Sequence, residues 1–384
     1  MSSEYAKTGV DVHKKGIEVF QEIIKNMFPE AFCVVFPDPD LPGYGLIHHE
    51  DTVGSKPLTH YLQYKETGNS KCFSLLGQDP LAINLNDTDC LDSTTLSFTD
   101  TVIINKFRVP KEEFLKKFSY GIKDSLETLR NYGINLNFSG GETSDEPDQV
   151  RTITLAGNTV SRVKLDEAIT GEKIKPGQLI VSLKSSGRAK YENKENSGLM
   201  CNHFMLARHS LIHKYYEITY PEIREPKGKP YTGRFMLDDY LDEVGMTLFE
   251  ALTSPTRLFS PVTKTIIEKL RPDITGVVNN SAGGQTKILR LGKNIHYIKN
   301  RILEPDPLFI LIKHESDESW KEMFKGSCMG TGVDYVARNT ATAYEIMSIA
   351  NSFGIDADII GYTERTTGPN KVTIKSKFGT FQYT

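Results

Sequence analysis

The sequence lacks the features that mark several common classes of protein. Its 384 residues include five cysteines but no Cys-x-x-Cys pair, so neither a disulfide framework nor a cysteine-rich zinc site is indicated. No apolar signal region follows Met1, and no apolar run approaches the roughly 18 residues of a membrane span. Lysine and arginine total 46 against 49 acidic residues, and a net charge of −3 gives no attraction to nucleic acid. These absences predict a cytoplasmic protein with no membrane and no nucleic-acid partner.

Common nucleotide and metal motifs are also missing. The run from Gly283 to Lys287 lacks the Gly-Lys-Ser/Thr ending of a Walker A loop, and the protein-kinase motifs are absent. The nine histidines show no metal-ligand spacing. His48 and His49 are adjacent and would point to opposite faces of a strand, so we interpret them as structural or solvent-facing. Any ATP site therefore belongs to neither common class.

A Gly-Gly-Glu-Thr run is the most informative feature that is present. Residues 134–138 alternate as a strand does, and Gly140 and Gly141 then let the backbone turn sharply. Glu142 supplies a hard oxygen ligand of the kind that Mg²⁺ prefers, and Thr143 follows it. The pattern predicts a strand that ends in a phosphate–metal loop. A plain turn is the competing interpretation of the two glycines.

Two acidic stretches upstream strengthen the metal interpretation. The first contains Asp51 and Lys56, and the second runs from Asp79 to Asp87. Carboxylates from such stretches, brought together, would hold Mg²⁺ that bridges nucleotide phosphates. Lys56 would then reach a phosphate. Taken singly, each carboxylate is more often a helix cap or a solvated residue, and a surface lysine is the equal alternative for Lys56.

Hydrophobic periodicity predicts two mixed domains. Helices are expected at 12–27, 57–68, 79–90, 110–132, 204–218, 237–252, 262–270, 305–325 and 341–353. Strands are expected at 31–36, 45–49, 96–104, 134–138, 150–163, 179–183 and from 276, with a terminal pair within 356–383. Strands and helices do not alternate strictly, so the fold class is α+β with domains at 1–165 and 174–384.

Taken in order, these stretches resemble the aminoimidazole ribonucleotide synthetase family, the phosphoribosylformylglycinamidine cyclo-ligases. Tyr5 to Val12 is similar to the family's Tyr-x-x-x-Gly-Val-Asp start, and Asp51 to Lys56 to its Asp-Gly-Val-Gly-Thr-Lys motif. Asn86-Asp87 matches its Asn-Asp pair, and Gly140 to Thr143 its Gly-Gly-Glu-Thr run. In the second half the similar residues are Ser185-Ser186-Gly187, Asn202, Arg208, Pro255-Thr256-Arg257, Gly283-Gly284, Glu322-Met323-Phe324 and Met329-Gly330-Thr331-Gly332.

The sequence departs from the family pattern at several of these positions. Thr52 replaces the glycine that follows Asp51, Asn279 stands where the family has a histidine, and Ala282 opens the triple-glycine loop. Two alternatives therefore stay open. One is another phosphoryl-activating enzyme of the same superfamily with a different acceptor, and the other is a nucleotide-binding dimer without turnover.

The resemblance implies ATP-dependent ring closure of formylglycinamidine ribonucleotide to aminoimidazole ribonucleotide in purine synthesis. It also implies a homodimer whose N-terminal domains share a β-barrel and bind ATP, with Mg²⁺ and, as a further candidate, K⁺. The implied catalytic residues are Lys56, Asp87 and Glu142, and the implied metal ligands Asp51, Asp87 and Glu142. The implied cofactor-binding residues are Asp51, Gly54, Ser55, Lys56, Asn86, Asp87, Gly140, Gly141, Glu142 and Thr143, and the implied substrate-binding residues Asn202, Arg208, Thr256 and Arg257.

Overall fold

The computed structural model describes residues 3–11 and 16–384, and only the backbone of Gln21. The first of its two large sheets has the order β1-β2-β5-β3-β4. Its strands are β1 (Phe36–Pro37), β2 (Tyr44–Thr52), β3 (Thr94–Ile104), β4 (Asn137–Asp145) and β5 (Ile153–Lys164). β5 pairs antiparallel with both β2 and β3, whereas β4 runs parallel to β3 at the edge.

The helices of the first half are α1 (Glu4–Lys7), α2 (Glu18–Gln21), α3 (Pro57–Thr67), α4 (Asp79–Thr88) and α5 (Lys111–Asn131). α4 covers one face of this sheet, and α3 contacts β5. Every residue of α4 is buried, and α4 packs on β2 and β5. α5 buries an apolar stripe that includes Phe114, Phe118 and Leu129, as its helical spacing predicts. It approaches the 3₁₀ turn Ser70–Gly77 closely because both Gly77 and Gly121 lack a Cβ atom there.

The second large sheet has the order β11-β13-β6-β14-β12-β15-β16. Its strands are β6 (Leu179–Lys184), β11 (Ile274–Asn279), β12 (Ile295–Lys299), β13 (Thr331–Ala337), β14 (Ala357–Arg365), β15 (Lys371–Ser376) and β16 (Gly379–Tyr383). Two short pairs accompany it, β7 (Ser186–Gly187) with β8 (Asn196–Ser197) and β9 (Tyr240–Leu241) with β10 (Met246–Thr247). β11 and β13 are buried along their whole length, so the second core lies around them.

The remaining helices belong to the second half of the chain. They are α6 (Phe204–Leu211), α7 (Tyr215–Thr219), α8 (Leu248–Thr253), α9 (Ser260–Leu270), α10 (Pro307–Ser316), α11 (Trp320–Gly326) and α12 (Thr340–Ser352). The mixed architecture that we expected is therefore present. Neither large sheet closes into a barrel within the described residues. In the same part of the chain, no helix combines the length and the apolar content that crossing a bilayer requires.

Several predicted helices are wrong or broken. Of the helix predicted at 12–27, residues 12–15 lie outside the described part and only Glu18–Gln21 is helical. Within the helix predicted at 237–252, β9 and β10 form a hairpin whose turn contains Gly245 with a left-handed φ of 76°, and only the residues from Leu248 onwards are helical. The helix predicted at 305–325 is two helices, since Asp317 adopts a left-handed φ of 57° at the end of α10. The helix predicted at 204–218 likewise ends at Leu211, where Ile212 is extended.

Candidate functional site

Three side chains from separate elements converge on the carboxylate of Asp87, in the last turn of α4. Asn279, at the end of β11, donates from Nδ2 to Asp87 Oδ1 across 2.7 Å. On β2, His49 Nε2 lies 3.3 Å from Asp87 Oδ2, and Lys287 Nζ lies 3.7 Å from the same oxygen. The cluster therefore forms where the first sheet, α4 and the second sheet meet.

The charges of this cluster keep Asp87 ionised. Burial alone would raise the pKa of its carboxyl, but the charge of Lys287 and the hydrogen bonds from His49 and Asn279 outweigh burial and lower the pKa to about 2. Asp51 behaves in the opposite way, because burial and then the negative charge of Asp87 raise the pKa of its carboxyl. Asp51 and Asp87 are therefore close enough to repel one another.

His49 carries a positive charge in this arrangement. Its Nδ1 lies 2.8 Å from Asn84 Oδ1, while Asn84 Nδ2 donates to two backbone carbonyl oxygens. Asn84 Oδ1 and Asp87 Oδ2 can only accept, so both ring nitrogens of His49 carry a proton. Burial opposes this charge, but the hydrogen bond and charge of Asp87 outweigh burial and raise the pKa of His49. Two cations, His49 and Lys287, therefore flank one carboxylate, an environment that favours a further anionic group such as phosphate.

Lys56, the predicted phosphate contact, faces a different carboxylate. It is fully buried, and its Nζ donates to Asp79 Oδ1 across 2.7 Å and to the carbonyl oxygen of Ser254 across 2.6 Å. Thr256 donates to the same Asp79 oxygen from its backbone N at 2.8 Å and from Oγ1 at 2.7 Å. The structure thus brings Lys56 and Thr256 together on Asp79 and not on Asp87.

Asn86 and Arg257 connect α4 to the second half of the chain. Asn86 Nδ2 donates to the carbonyl oxygen of Arg257 across 2.9 Å, and Asn86 Oδ1 accepts from the backbone N of Phe259 at 2.9 Å. The Arg257 guanidinium donates to both carboxylate oxygens of Glu192, at 2.9 and 2.6 Å, and to three carbonyl oxygens within residues 184–187. A guanidinium has five N–H donors, so all those of Arg257 are used within the protein.

Arg208 and Asn202 lie at α6. Arg208 is 1% exposed, and its Nη1 donates to the carbonyl oxygen of Ile223 and to the hydroxyl of Tyr231. Among the described residues no carboxylate forms an ion pair with it, and burial lowers the pKa of its guanidinium. Asn202 is half-buried directly before α6. In the predicted substrate pair, Arg208 thus faces the protein interior and Asn202 lies nearer the surface.

The loop after β2 carries two further predicted residues. Gly54 is exposed with a left-handed φ of 58°, and a Cβ atom there would lie 3.7 Å from the carbonyl oxygen of Cys201. The buried hydroxyl of Ser55 has no hydrogen-bond partner in the part of the chain that is described. The loop therefore approaches the segment before α6, and its one unpaired polar atom is buried there.

The Gly-Gly-Glu-Thr run is wrongly predicted as a loop, because Gly140, Gly141, Glu142 and Thr143 all lie within β4. The run has a structural reason for its glycines. A Cβ atom at Gly141 would collide with the backbone of Asp100 on β3, next to an irregularity in the β3–β4 register. Gly141 is therefore required by the close approach of β3, whereas Gly140 has a left-handed φ of 86° that favours glycine.

Glu142 is not brought to Asp51 or Asp87 in this chain. It pairs with Thr101 on β3, which pairs with Ala156 on β5, which pairs with Thr52 on β2. Three strand spacings of about 4.8 Å therefore separate the backbone of Glu142 from that of Thr52. Because neighbouring residues of a strand alternate between faces, Glu142 shares the face of Thr52, opposite to that of Asp51.

Sequence reasoning missed three residues of the cluster. The sequence alone indicates a structural or solvent-facing role for His49, no role for Lys287, and for Asn279 only a departure from the family pattern. A signal for His49 existed, because His49 and Asp51 are two residues apart on β2 and share the face that α4 covers. Lys287 had no such signal, since its place beside Asp87 depends on how the second sheet meets α4.

The three predicted metal ligands do not fit a Mg²⁺ site within one chain. Across residues 3–11 and 16–384, no group of three or more His, Cys, Asp and Glu side chains is arranged to hold a metal ion. Asp51 and Asp87 are neighbours, but both oxygens of Asp87 already accept from cationic or amide donors, and Glu142 lies on the other face. We therefore derive no chemical step through a metal.

The comparison with curated proteins agrees with the sequence resemblance. A phosphoribosylformylglycinamidine cyclo-ligase from Methanocaldococcus jannaschii is 27% identical over 321 residues, covering 83% of this chain and 78% of that protein. Enzymes of the same name from Methanococcus maripaludis strain C7 and Pyrococcus horikoshii are 26% and 27% identical, covering 96% and 85% of this chain and 94% and 86% of theirs. The predicted resemblance is confirmed. This chain is similar to cyclo-ligases over most of its length. No protein-family model matches it.

Solved structures show which fold the chain adopts. A chain of the HypE–HypF complex matches with a TM-score of 0.57 at 16% identity, covering 95% of this chain and 97% of that one. The structure titled AaThiL complexed with AMPPCP and TMP matches at 0.55 and 11%, covering 96% of both chains. PurL of Thermotoga maritima complexed with FGAR matches with a TM-score of 0.55 at 12% identity. The match covers 98% of this chain and 51% of PurL. At such identities the likeness establishes a shared fold alone.

Proposed function

We propose that the chain is an ATP-dependent phosphoribosylformylglycinamidine cyclo-ligase of purine biosynthesis. The observation that carries the proposal is the similarity to curated cyclo-ligases of several archaea, which extends over 83% to 97% of the chain. The Asp87 cluster is consistent with it, because Lys287 and His49 give a buried site with two positive charges. An enzyme with a different acceptor is not favoured, since these relatives share one name.

In the proposed reaction ATP phosphorylates the amide oxygen of formylglycinamidine ribonucleotide. The substrate's own nitrogen then attacks the activated imidate carbon, the carbon–oxygen bond breaks, and phosphate leaves as the imidazole ring closes. Lys287 and His49 attract the phosphate groups. Because both side chains are largely buried, this attraction is stronger than between the same charges in water. Holding both reacting atoms of one bound substrate makes ring closure effectively intramolecular.

ATP is the proposed co-substrate, and Mg²⁺ the counter-ion that accompanies it. A K⁺ requirement stays a prediction, tested by comparing potassium with sodium salts. The assigned roles of Lys56, Asn202, Arg208, Thr256 and Arg257 also stay predictions, because these side chains face other protein groups or the surface. For Arg257 and Lys56, substrate contact requires existing hydrogen bonds to break.

A cytoplasmic homodimer is also proposed, with an ATP-binding and dimerisation domain at 1–165 and a second domain at 174–384. Support for the dimer comes from the first sheet, because α4 covers one face of it. On the other face His48, Glu50 and Thr52 of β2 are exposed, as is Glu142 on the edge strand β4. A second copy meeting this face would close the predicted shared barrel. Sedimentation analysis tests this, and a clean monomer contradicts it.

The decisive experiment measures ADP and aminoimidazole ribonucleotide together, with purified protein, ATP, Mg²⁺ and formylglycinamidine ribonucleotide. We expect both products from the wild type. Asp87→Asn should abolish both, whereas the matched control Asp148→Asn, on an exposed loop, should retain them. If folded wild-type protein binds ATP but forms neither product, the proposal is wrong, and a screen of other acceptors for ADP release follows.

A further inference from the structure

Lys287 holds a positive charge directly beside the carboxylate of Asp87. Its side chain is 6% exposed, and Nζ lies 3.7 Å from Asp87 Oδ2. Nζ also donates to Ser281 Oγ and lies 4.6 Å from the centre of the Phe32 ring. The ammonium is therefore fixed by an anion, a hydroxyl and an aromatic face, and is not a mobile surface charge.

Asn279 adds a free oxygen ligand at the same place. Its orientation is fixed because Asp87 Oδ1 can only accept, so the amide nitrogen must face Asp87. Asn279 Oδ1 is then buried without a hydrogen-bond partner among the described residues, in a side chain that is 1% exposed. A buried amide oxygen left unpaired, on a side chain that contacts the carboxylate of Asp87, is a hard ligand of the kind that Mg²⁺ or Mn²⁺ binds.

We propose that Lys287 is the resident cation of this site and competes with a divalent metal for Asp87. Asp87 and the unpaired oxygen of Asn279 are oxygen ligands of the kind that a divalent metal needs, but the cations Lys287 and His49 already neutralise the carboxylate that the metal would share. Like charges a few ångströms apart repel strongly in a buried site. The free protein therefore binds a divalent metal weakly at Asp87. The identity of the metal rests on the proposed function, but the competition does not.

The test is Mn²⁺ binding to the nucleotide-free protein, measured by electron paramagnetic resonance and by calorimetry. Lys287→Met removes the charge and leaves an apolar chain that still fits against Phe32. We expect it to bind Mn²⁺ at least on the order of tenfold more tightly than the wild type. Lys287→Arg keeps the charge and should bind as weakly as the wild type. The matched control is Lys293→Met, which removes an exposed lysine six positions later and should change nothing.

Asp87→Asn, added to Lys287→Met, should return Mn²⁺ binding to the wild-type level, because the gained site depends on that carboxylate. The proposal is overturned if Lys287→Met binds Mn²⁺ no better than the wild type, or if the gain survives Asp87→Asn. Lys287→Gln provides a second neutral variant in case the methionine protein does not fold, and thermal unfolding checks each variant. The assay uses neither ATP nor acceptor. A failure here therefore leaves the proposed function standing, and a failure to form aminoimidazole ribonucleotide leaves this inference standing.

Discussion

Asn279 and Asp87 share a 2.7 Å hydrogen bond that ties the end of β11 to the last turn of α4. Both residues are buried, and because α4 packs on the first sheet while β11 belongs to the second, the bond connects the two halves of the chain. Where the family resemblance places a histidine, this chain has an amide whose nitrogen serves Asp87 and whose oxygen is unpaired. Lys287, eight residues later, places a positive charge beside the same carboxylate.

Loss of this bond should be costly. We expect Asn279→Ala to lower the free energy of unfolding by about 1–3 kcal/mol, because it leaves a buried carboxylate oxygen with one donor fewer. Urea unfolding of the purified protein measures the change. Asn193→Ala, at an exposed position, is the control and should stay within about 0.5 kcal/mol of the wild type. A loss for Asn279→Ala no larger than that of the control contradicts the structural role.

The buried pair Lys56–Asp79 makes a second prediction that separates a structural role from phosphate binding. Lys56→Met leaves Asp79 buried without its cation, and we expect a loss of about 3–5 kcal/mol in the free energy of unfolding. Lys111→Met is the control, since it removes a half-exposed ion pair with Asp145 that is worth about 1 kcal/mol or less. Unchanged stability of Lys56→Met together with lost ATP binding would instead favour the predicted phosphate contact.

Much of the fold follows from local sequence. The amphipathic spacing of α5 and α9 and the β-rich run of β3 place these elements within two residues of their observed bounds, because one face of each meets a core. The same spacing failed at 12–27. Ile17, Phe20 and Ile23 there are 48%, 56% and 73% exposed, so no core meets the pattern. Periodicity predicts a helix only where something packs against it.

The candidate site was only partly predictable for a related reason. Asp51 and Asp87 stand in local motifs, so their chemistry could be read from the sequence. Lys56 and Glu142 also stand in such motifs, but neither lies at the Asp87 cluster. Lys56 pairs with a competing carboxylate, Asp79, and strand alternation puts Glu142 on the opposite face of the sheet. The place of Lys287 depends on contacts between elements that lie 200 residues apart in sequence. No local pattern encodes such contacts.

Three buried histidines make stability depend on pH. Burial is the main cause that lowers the pKa of His60, His203 and His209, each to about 3, so all three are neutral in the folded protein. The unfolded chain binds these protons near its ordinary pKa of about 6.5. Their contribution to stability is therefore complete above that pH and is lost as the pH falls towards 3.

Each of these histidines should remove about 1.4 kcal/mol of stability per pH unit below that point. Urea unfolding at several values between neutral and mildly acidic pH measures the slope. His60→Gln retains a donor for the carbonyl oxygen of Cys72. It should lower the dependence of unfolding free energy on pH by the contribution of one histidine. An unchanged slope in this variant means that His60 is protonated in the folded state, contrary to its burial.

Glu142 makes the last prediction, because strand alternation puts its side chain on the face opposite to Asp51. In the proposed dimer, therefore, Glu142 serves the Asp87 cluster of the second subunit or serves none. Glu142→Gln and Asp87→Asn should each be inactive alone. A mixed dimer contains one subunit of each variant. The Glu142→Gln subunit keeps its Asp87 and its partner keeps Glu142, so one of the two sites has both residues. If subunits exchange freely, half of the dimers are mixed, so the mixture should recover roughly a quarter of wild-type turnover.

The matched control mixes Asp51→Asn with Asp87→Asn. These two residues lie in one cluster of one chain, so every site in that mixture lacks a carboxylate and no turnover should return. Stability of Glu142→Gln should stay within about 0.5 kcal/mol of the wild type, because its side chain is exposed. Full activity of Glu142→Gln alone removes Glu142 from the metal set. Two inactive variants that do not complement each other place Glu142 beside the Asp87 of its own chain, which requires β4 to rearrange in the active enzyme.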